Sequence, residues 1–256
     1  MLRQGRVSLD GKVIREPKQQ IDDHEATRLL IDGEPFIPRR FQHYILNKPV
    51  GVLSATQDKN APTALELLPA LVQTRKLVPV GRLDKDSSGL LIFTNDGQLN
   101  HRLTSPKHSI GKRYRVIVEL LESEANERTA GINEEDAELF AAGELSLDQK
   151  RLLPATMDIL GPWDAEVTLY EGRFRQLRRM FELVGLKVTE LKRIAEGSLL
   201  LGDLPLGYAR RLSDQEAGAL YAHVGLEDPD AEWRLLAPDT DPTPSILEAE
   251  PGASLD

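Results

Sequence analysis

An α+β fold, with a mixed, mostly antiparallel sheet, flanking helices and a small separate module in front, is predicted by three features of the sequence. Short β-rich runs recur between turn signals without the strict strand–helix alternation of a parallel doubly wound sheet. Capped helical segments are interspersed among those runs rather than gathered in one half. The chain has 256 residues, enough for a small domain plus a medium one, because single cores usually stop growing near ~250–300 residues.

The first unit covers residues 1–40. Arg6 to Ile14 reads as two brief strands joined at Asp10-Gly11, a strong hairpin signal, and a second acidic-Gly turn follows at Asp32-Gly33. Pro35 and Pro38 with Arg39-Arg40 then break periodicity, which places a linker there and a boundary near residue 41. Between 41 and 225, β-rich apolar runs stand at Tyr44–Leu46, Leu77–Val80, Leu90–Phe93, Tyr114–Leu120, Ala155–Leu160, Val167–Tyr170 and Val188–Ile194. Thr63-x-x-Glu66 and Ser213-x-x-Glu216 match the capping box, and each opens an apolar-periodic segment. Phe174, Leu177, Phe181 and Val184 give a third helix one apolar face, ended by Gly185 as a C-terminal cap. Residues 226–256 are expected to form an acidic disordered tail, since five prolines and nine acids in its last thirty positions leave too little apolar surface to offset ordering entropy. Trp233 with Leu235-Leu236 offers one apolar contact within it.

Composition excludes several classes. With 40% hydrophobic and 29% charged residues, wholesale disorder, collagen and coiled coil are ruled out. No apolar run approaches the ~18 residues of a membrane span, and Met1–Asp10 carries no signal-peptide core, so a cytoplasmic chain without a membrane partner is expected. The absence of cysteine removes disulfides, thiolate zinc sites and thiol nucleophiles together. The net charge of −9 is uneven: Glu227–Asp256 carries −8, which leaves −1 for the rest. Leu99–Val118 holds five Lys/Arg and no carboxylate, and Gly172–Arg179 has four arginines in eight positions, so local positive fields survive the acidic total.

Chemistry concentrates at Gly81-Arg82-Leu83-Asp84-Lys85-Asp86-Ser87-Ser88-Gly89, a polar loop between two apolar runs, where a carboxylate is held on a rigid base. An ordinary Asx turn is the bland alternative. Calcium is a sharper one, because Asp84-x-Asp86-x-Ser88-Gly89 opens like an EF-hand loop. The twelfth position is Asn95 instead of a bidentate Glu, however, and a strand follows where a helix should, so no metal is expected. The histidines show no zinc-type pairing.

Four ordered motifs surround that loop: Asn47-Lys48-Pro49-x-Gly51, Asn95-Asp96-Gly97, Lys112-Arg113-Tyr114-Arg115-Val116 and Glu171-Gly172-Arg173-Phe174-Arg175-Gln176-Leu177-Arg178-Arg179-Met180. With Gly81-Arg82-Leu83-Asp84 at the centre, this order closely resembles the ribosomal RNA pseudouridine synthases of the small-subunit (16S) type and their large-subunit (23S) relatives, over about residues 5–222. His101-Arg102-Leu103-Thr104-Ser105-Pro106-Lys107-His108 looks most like the small-subunit branch.

The resemblance implies isomerisation of a specific uridine in ribosomal RNA with no cofactor and no metal. It makes Asp84 the carboxylate beside the anomeric carbon, as nucleophile or as base in an elimination route. Arg178 would be its cationic partner, and Tyr114 would stack on the target base and assist proton removal from carbon five. Arg82 would occupy the stack when the uridine is flipped out. Lys48, Lys107, Lys112, Arg113, Arg173, Arg175 and Arg179 are candidate phosphate contacts, although any one taken alone is more often plain surface charge. Residues 1–40 resemble the alpha-L RNA-binding module, with only Met1–Gln4 before the Gly-Arg-Val strand where that module begins with about two helices, so either the module is shortened or its start lies upstream. The partner implied is ribosomal RNA, bound by a monomer or within a pre-ribosomal particle. A noncatalytic RNA-binding or assembly factor of the same fold is the competing class, and binding alone needs no trio of Asp84, Tyr114 and Arg178.

Overall fold

The computed structural model describes residues 1–22, 25, 28–35, 39–73, 76–122, 128 and 130–231. Among them the chain forms two separate main sheets. The first carries β1 (Val7–Leu9), β2 (Lys12–Val13), β3 (Leu29–Ile31) and β4 (Glu34–Pro35) in the order β2-β1-β3-β4. Asp10 and Gly11 both take positive φ, 50° and 75°, which is the geometry a two-residue hairpin turn demands. Leu9, Ile14 and Leu29 close a small core of their own.

The large sheet holds β5 (His43–Lys48), β6 (Val78–Pro79), β7 (Ser88–Thr94), β8 (Lys112–Leu120), β11 (Thr156–Gly161), β12 (Asp164–Leu169), β13 (Leu186–Glu196), β14 (Leu199–Leu200) and β15 (Ala209–Arg211). Its main order is β11-β12-β8-β13-β7-β5-β15, with β6 on β7 and β14 on β13. Every pairing in it is antiparallel except β7 with β13, so the sheet is mixed and mostly antiparallel, as the sequence predicts. The hairpin β9 (Ser146–Leu147) and β10 (Lys150–Arg151) stands apart from it.

Helices α1 (Ala70–Gln73), α2 (Gly97–Thr104), α3 (Glu134–Ala142), α4 (Gln176–Leu183) and α5 (Asp214–His223) flank the sheet. α5 carries the capping box expected at Ser213 and Glu216. α4 buries Leu177 and Phe181, and Phe181 packs on Phe140 of α3 with ring centroids 5.2 Å apart. Gly185, at φ 76°, follows its end as expected.

The segment opened by Thr63 departs from expectation. Thr63 N does bond Glu66 Oε2 at 3.1 Å, but Thr63 forms a bridge with Leu53 and Ala64 N bonds Leu53 O at 2.8 Å. Those bonds hold the chain in turns, Pro69 disfavours helix at the residue before it, and only the single turn of α1 follows. Residues 226–231, expected in the tail, are instead held against the body. Leu226 packs on the body, and the backbone N–H of Arg40 donates to buried Asp230 at 3.1 Å. Residues 232–256, with Trp233, lie outside the described residues. Among the described residues, no helix is long and apolar enough to cross a membrane.

Candidate active site

The loop from Gly81 to Ser87 is fastened at both ends. Val80 N bonds Ile92 O at 2.8 Å, continuing the β6–β7 pairing, and Leu83 is buried. Ser54 Oγ accepts from Leu83 N at 2.9 Å and donates to Leu83 O at 2.8 Å, while Gly51 N donates to Lys85 O at 2.7 Å. The stretch after β5 therefore braces the loop from one side. Asp84 stands part-exposed in it, and its carbonyl closes a turn with Ser87 N. Arg82 is exposed beside it and has no ion-pair partner among the described residues.

Gly89 sets the distance to the neighbouring strand. It has φ 104° and pairs with Arg193 across the parallel β7–β13 junction; a Cβ there would stand 2.2 Å from Arg193 O. Only glycine allows the two backbones that approach. On its other side β13 pairs with β8, and Arg193 lies opposite Tyr114. The half-buried Tyr114 packs against the hydrophobic clusters on both sides, so the junction brings the Asp84 loop and the Tyr114 ring to one place. Burial raises the Tyr114 phenol, Arg193 opposes the rise, and Glu196 and Asp84 add to it.

Behind the loop lies a charge the sequence places on the surface. Lys48 is fully buried at the end of β5, and its ammonium donates to Pro49 O at 2.8 Å and Val52 O at 2.9 Å. It is not exposed to take a phosphate, which corrects that expectation. Burial pulls it down to about 8, against the pull of Asp84 and Asp86, so it stands at neutral pH as a cation beneath both carboxylates.

The arginine segment divides into anchors and free groups. Arg178 is 7% exposed; it donates to Val188 O at 2.7 Å and to Asp86 O at 2.9 Å, with its Nε 3.4 Å from the Asp86 carboxylate. The cationic partner expected for Asp84 is thus engaged by Asp86, two residues on. Arg175, in the left-handed region at φ 48°, donates to the same Asp86 carboxylate at 2.8 Å. Partial burial opposes these contacts, yet the hydrogen bond from Arg175 and the charges of Arg178 and Arg175 hold Asp86 below the ordinary carboxylate range. Arg173 donates to the carbonyls of Leu147, Lys150 and Arg151, which ties the β9–β10 hairpin to the segment before α4 and takes it out of the phosphate set. Arg179 pairs with Asp148 at 2.7 Å and Lys112 with Glu196 at 3.6 Å. Arg113 reaches Glu166 only at 3.7 Å with its side chain 41% exposed, and Lys107 is exposed, so both keep room for a phosphate.

The family model for RNA pseudouridylate synthase matches residues 42–183, which hold the Asp84 loop, Tyr114 and the arginine segment. The chain belongs to that family. It is 35% identical over 223 residues to the ribosomal small subunit pseudouridine synthase A of Escherichia coli (strain K12), covering 86% of this chain and 90% of the relative. Against the Yersinia pestis protein of that name the identity is 36% over 227 residues, with the same coverage. A solved crystal structure of a pseudouridylate synthase superposes with a TM-score of 0.63 at 31% identity, over 86% of this chain and 90% of the other.

Within this synthase, two site residues escape a sequence reading. Arg193 and Glu196 are 1% and 0% exposed and lie 3.2 Å apart, with Arg193 opposite Tyr114 in the neighbouring strand. Both sit at the end of an apolar, β-rich run, and the signal that could have found them is a pair of opposite charges three apart beside the apolar Ile194 and Ala195.

Proposed function

We propose that this protein isomerises a specific uridine of small-subunit ribosomal RNA to pseudouridine. The observation that carries the reading is the junction of β7 and β13, which sets the Asp84 loop against Tyr114 with a buried cation, Lys48, behind it. The reaction breaks the bond from nitrogen one of uracil to the anomeric carbon, turns the base, forms the bond from carbon five, and moves the carbon-five proton to nitrogen one. Asp84 serves as the ionised carboxylate at the anomeric carbon, as nucleophile or as base. Tyr114 stacks on the base, and exposed Arg82 fills the gap that the flipped uridine leaves. Arg113, Arg175 and Lys107 hold phosphates. Arg178 acts one step away, by fixing the loop through Asp86 instead of touching Asp84.

The small-subunit substrate is supported by the two relatives named for it and by the His101–His108 segment. The enzyme works as a monomer in the cytoplasm, on RNA or a pre-ribosomal particle. The test is a map of pseudouridine in ribosomal RNA from cells with the gene, without it, and carrying Asp84→Asn. Loss of one modified position in small-subunit RNA, in both altered strains, is expected. Loss in large-subunit RNA would move the substrate, and an unchanged map would favour a noncatalytic assembly factor.

A further inference from the structure

The strand β13 carries a buried ion pair that the proposed reaction leaves unused. Residues three apart in a regular strand face opposite sides of the sheet. A bulge between Arg193 and Ala195 adds one residue and turns Glu196 back to the side of Arg193, a device that often re-aims side chains beside active sites. The cross-strand register then sets Arg193 opposite Tyr114 and Glu196 opposite Lys112. The Arg193 side chain, directly opposite Tyr114 across the two strands, is near enough to the phenol for the two groups to interact. Its Nε donates to Leu90 O at 2.7 Å, which ties it to the strand leaving the Asp84 loop.

This is a poor stability device. Arg193 Nη2 and both Glu196 carboxylate oxygens make no hydrogen bond, although the two groups are 3.2 Å apart. A buried pair left so incompletely satisfied is commonly no better than apolar side chains of the same size, so its presence points to a task other than holding the fold. The task is visible in what surrounds the phenol: Arg193 and Glu196 from β13, Asp84 from the loop before β7, and Lys112 on its own strand by way of Glu196 at 3.6 Å. Lys48 of β5 faces Arg193 from the far side.

We propose that Arg193 and Glu196 are positioning residues for the isomerisation: Arg193 fixes the hydroxyl of Tyr114 against the target base, and Glu196 balances the positive charge of Arg193 beneath the ring. The proposal rests on the reading of Tyr114 given above. Arg193 alone beneath the ring would work against burial and lower the cost of phenolate, and a phenolate beside Asp84 would repel the carboxylate on which bond cleavage depends. With Glu196 in place the phenol stays neutral and still has a fixed direction.

The test uses the full chain and an RNA substrate containing the mapped uridine. Glu196→Gln keeps the shape and removes the negative charge. The Tyr114 phenol, followed by ultraviolet titration against Tyr114→Phe, should move to lower pH by about one unit or more, and the alkaline limb of the kcat profile should move with it. Arg193→Met with Glu196→Met, which replaces the pair by apolar groups, should lower kcat by about tenfold or more with KM nearly unchanged, because it releases the ring without touching the RNA. If that double variant does not fold, Glu196→Gln and Arg193→Lys carry the test, the lysine restoring part of the rate. In a Tyr114→Phe background none of these changes should slow the enzyme further, since the hydroxyl through which they act is gone. An unshifted phenol with an unshifted rate profile in Glu196→Gln, or an equal slowing in the Tyr114→Phe background, would overturn the proposal and leave the role of Tyr114 standing. Full activity of Tyr114→Phe alone would overturn the role of the hydroxyl, and the proposal with it.

Discussion

Replacing Gly89 by alanine tests whether the β7–β13 junction sets the site. Two costs can be worked from the structure. At φ 104° a side chain is in a region that L residues avoid, worth ~1–3 kcal/mol of strain. The new Cβ would also stand 2.2 Å from Arg193 O and 2.6 Å from Arg193 N, where ordinary contact begins at 3.4 Å. The obstacles are backbone atoms inside a sheet, so no side chain can swing away, and β7 must move by roughly 1 Å from β13. A displacement of that size between reacting groups typically costs ~10²-fold in rate. The expected result is a loss of about 3 kcal/mol or more by urea unfolding, from strain and weakened pairing together. The folded fraction should form pseudouridine ~100-fold more slowly, with RNA affinity close to wild type. An unfolding midpoint and a turnover both within error of wild type would refute the claim that this contact holds Asp84 against Tyr114.

Three further outcomes are expected. Arg178→Leu leaves the buried Val188 carbonyl and the half-buried Asp86 carbonyl unpaired and should cost about 1–3 kcal/mol, with Arg178→Lys recovering part; because the pKa of Asp86 is depressed, its contribution is present above the unfolded value near ~3.9 and lost as pH falls through the folded one, so the leucine variant should show a shallower acid loss of stability in unfolding measured across pH. Lys48 is depressed from its ordinary value to about 8, so folding disfavours its charged form, and stability should rise as pH climbs from about 8 toward ~10.4, by about 3 kcal/mol; Lys48→Met should remove that rise, and a persistent one would place the effect elsewhere. Deleting residues 232–256, which carry six acids and one arginine, should tighten nonspecific RNA binding at low salt without changing turnover, since the tail's field is screened beyond ~10 Å at 0.1 M salt; loss of turnover in a steady-state assay would show that Trp233 or its neighbours are structural.

The apolar runs were legible as strands because β-branched and aromatic residues between turn residues leave few other options: β5, β7, β8, β11, β12 and β13 each contain most of a run read from sequence. What escaped did so for identifiable reasons. β9, β10, β14 and β15 are two or three residues long, below any periodic signal. α2 is opened by Asp96, whose carboxylate accepts from Gln98 N and Leu99 N, yet Asn95-Asp96-Gly97 reads equally well as a turn. At α3 the capping box uses Asn133 and Asp136 in place of the commoner Ser/Thr and Glu, ahead of a helix whose apolar face is weak.

Site residues were legible by motif, but their partners were not, because a row of arginines looks uniform in sequence and only tertiary structure decides what each one meets. The difference matters for RNA. Arg178 satisfies one buried and one half-buried carbonyl, so drawing it onto a phosphate would leave those acceptors bare at a cost of about 1–3 kcal/mol each, and Arg173 would have to release three carbonyls, one of them half-buried, that tie down the β9–β10 hairpin. Among the described residues Arg175 is bound only to Asp86, in a pair with side chains 38% and 45% exposed, of a kind worth ~0–1 kcal/mol. A phosphate can therefore take Arg175 at almost no cost, and Asp86 keeps Arg178 when it does. The left-handed backbone at Arg175 and the turn before α4 thus present one exchangeable cation on a segment that its two neighbouring anchors hold still. Under the proposed reading, that arrangement would let a nearly neutral catalytic body grip RNA beside Asp84 without loosening the loop that carries it.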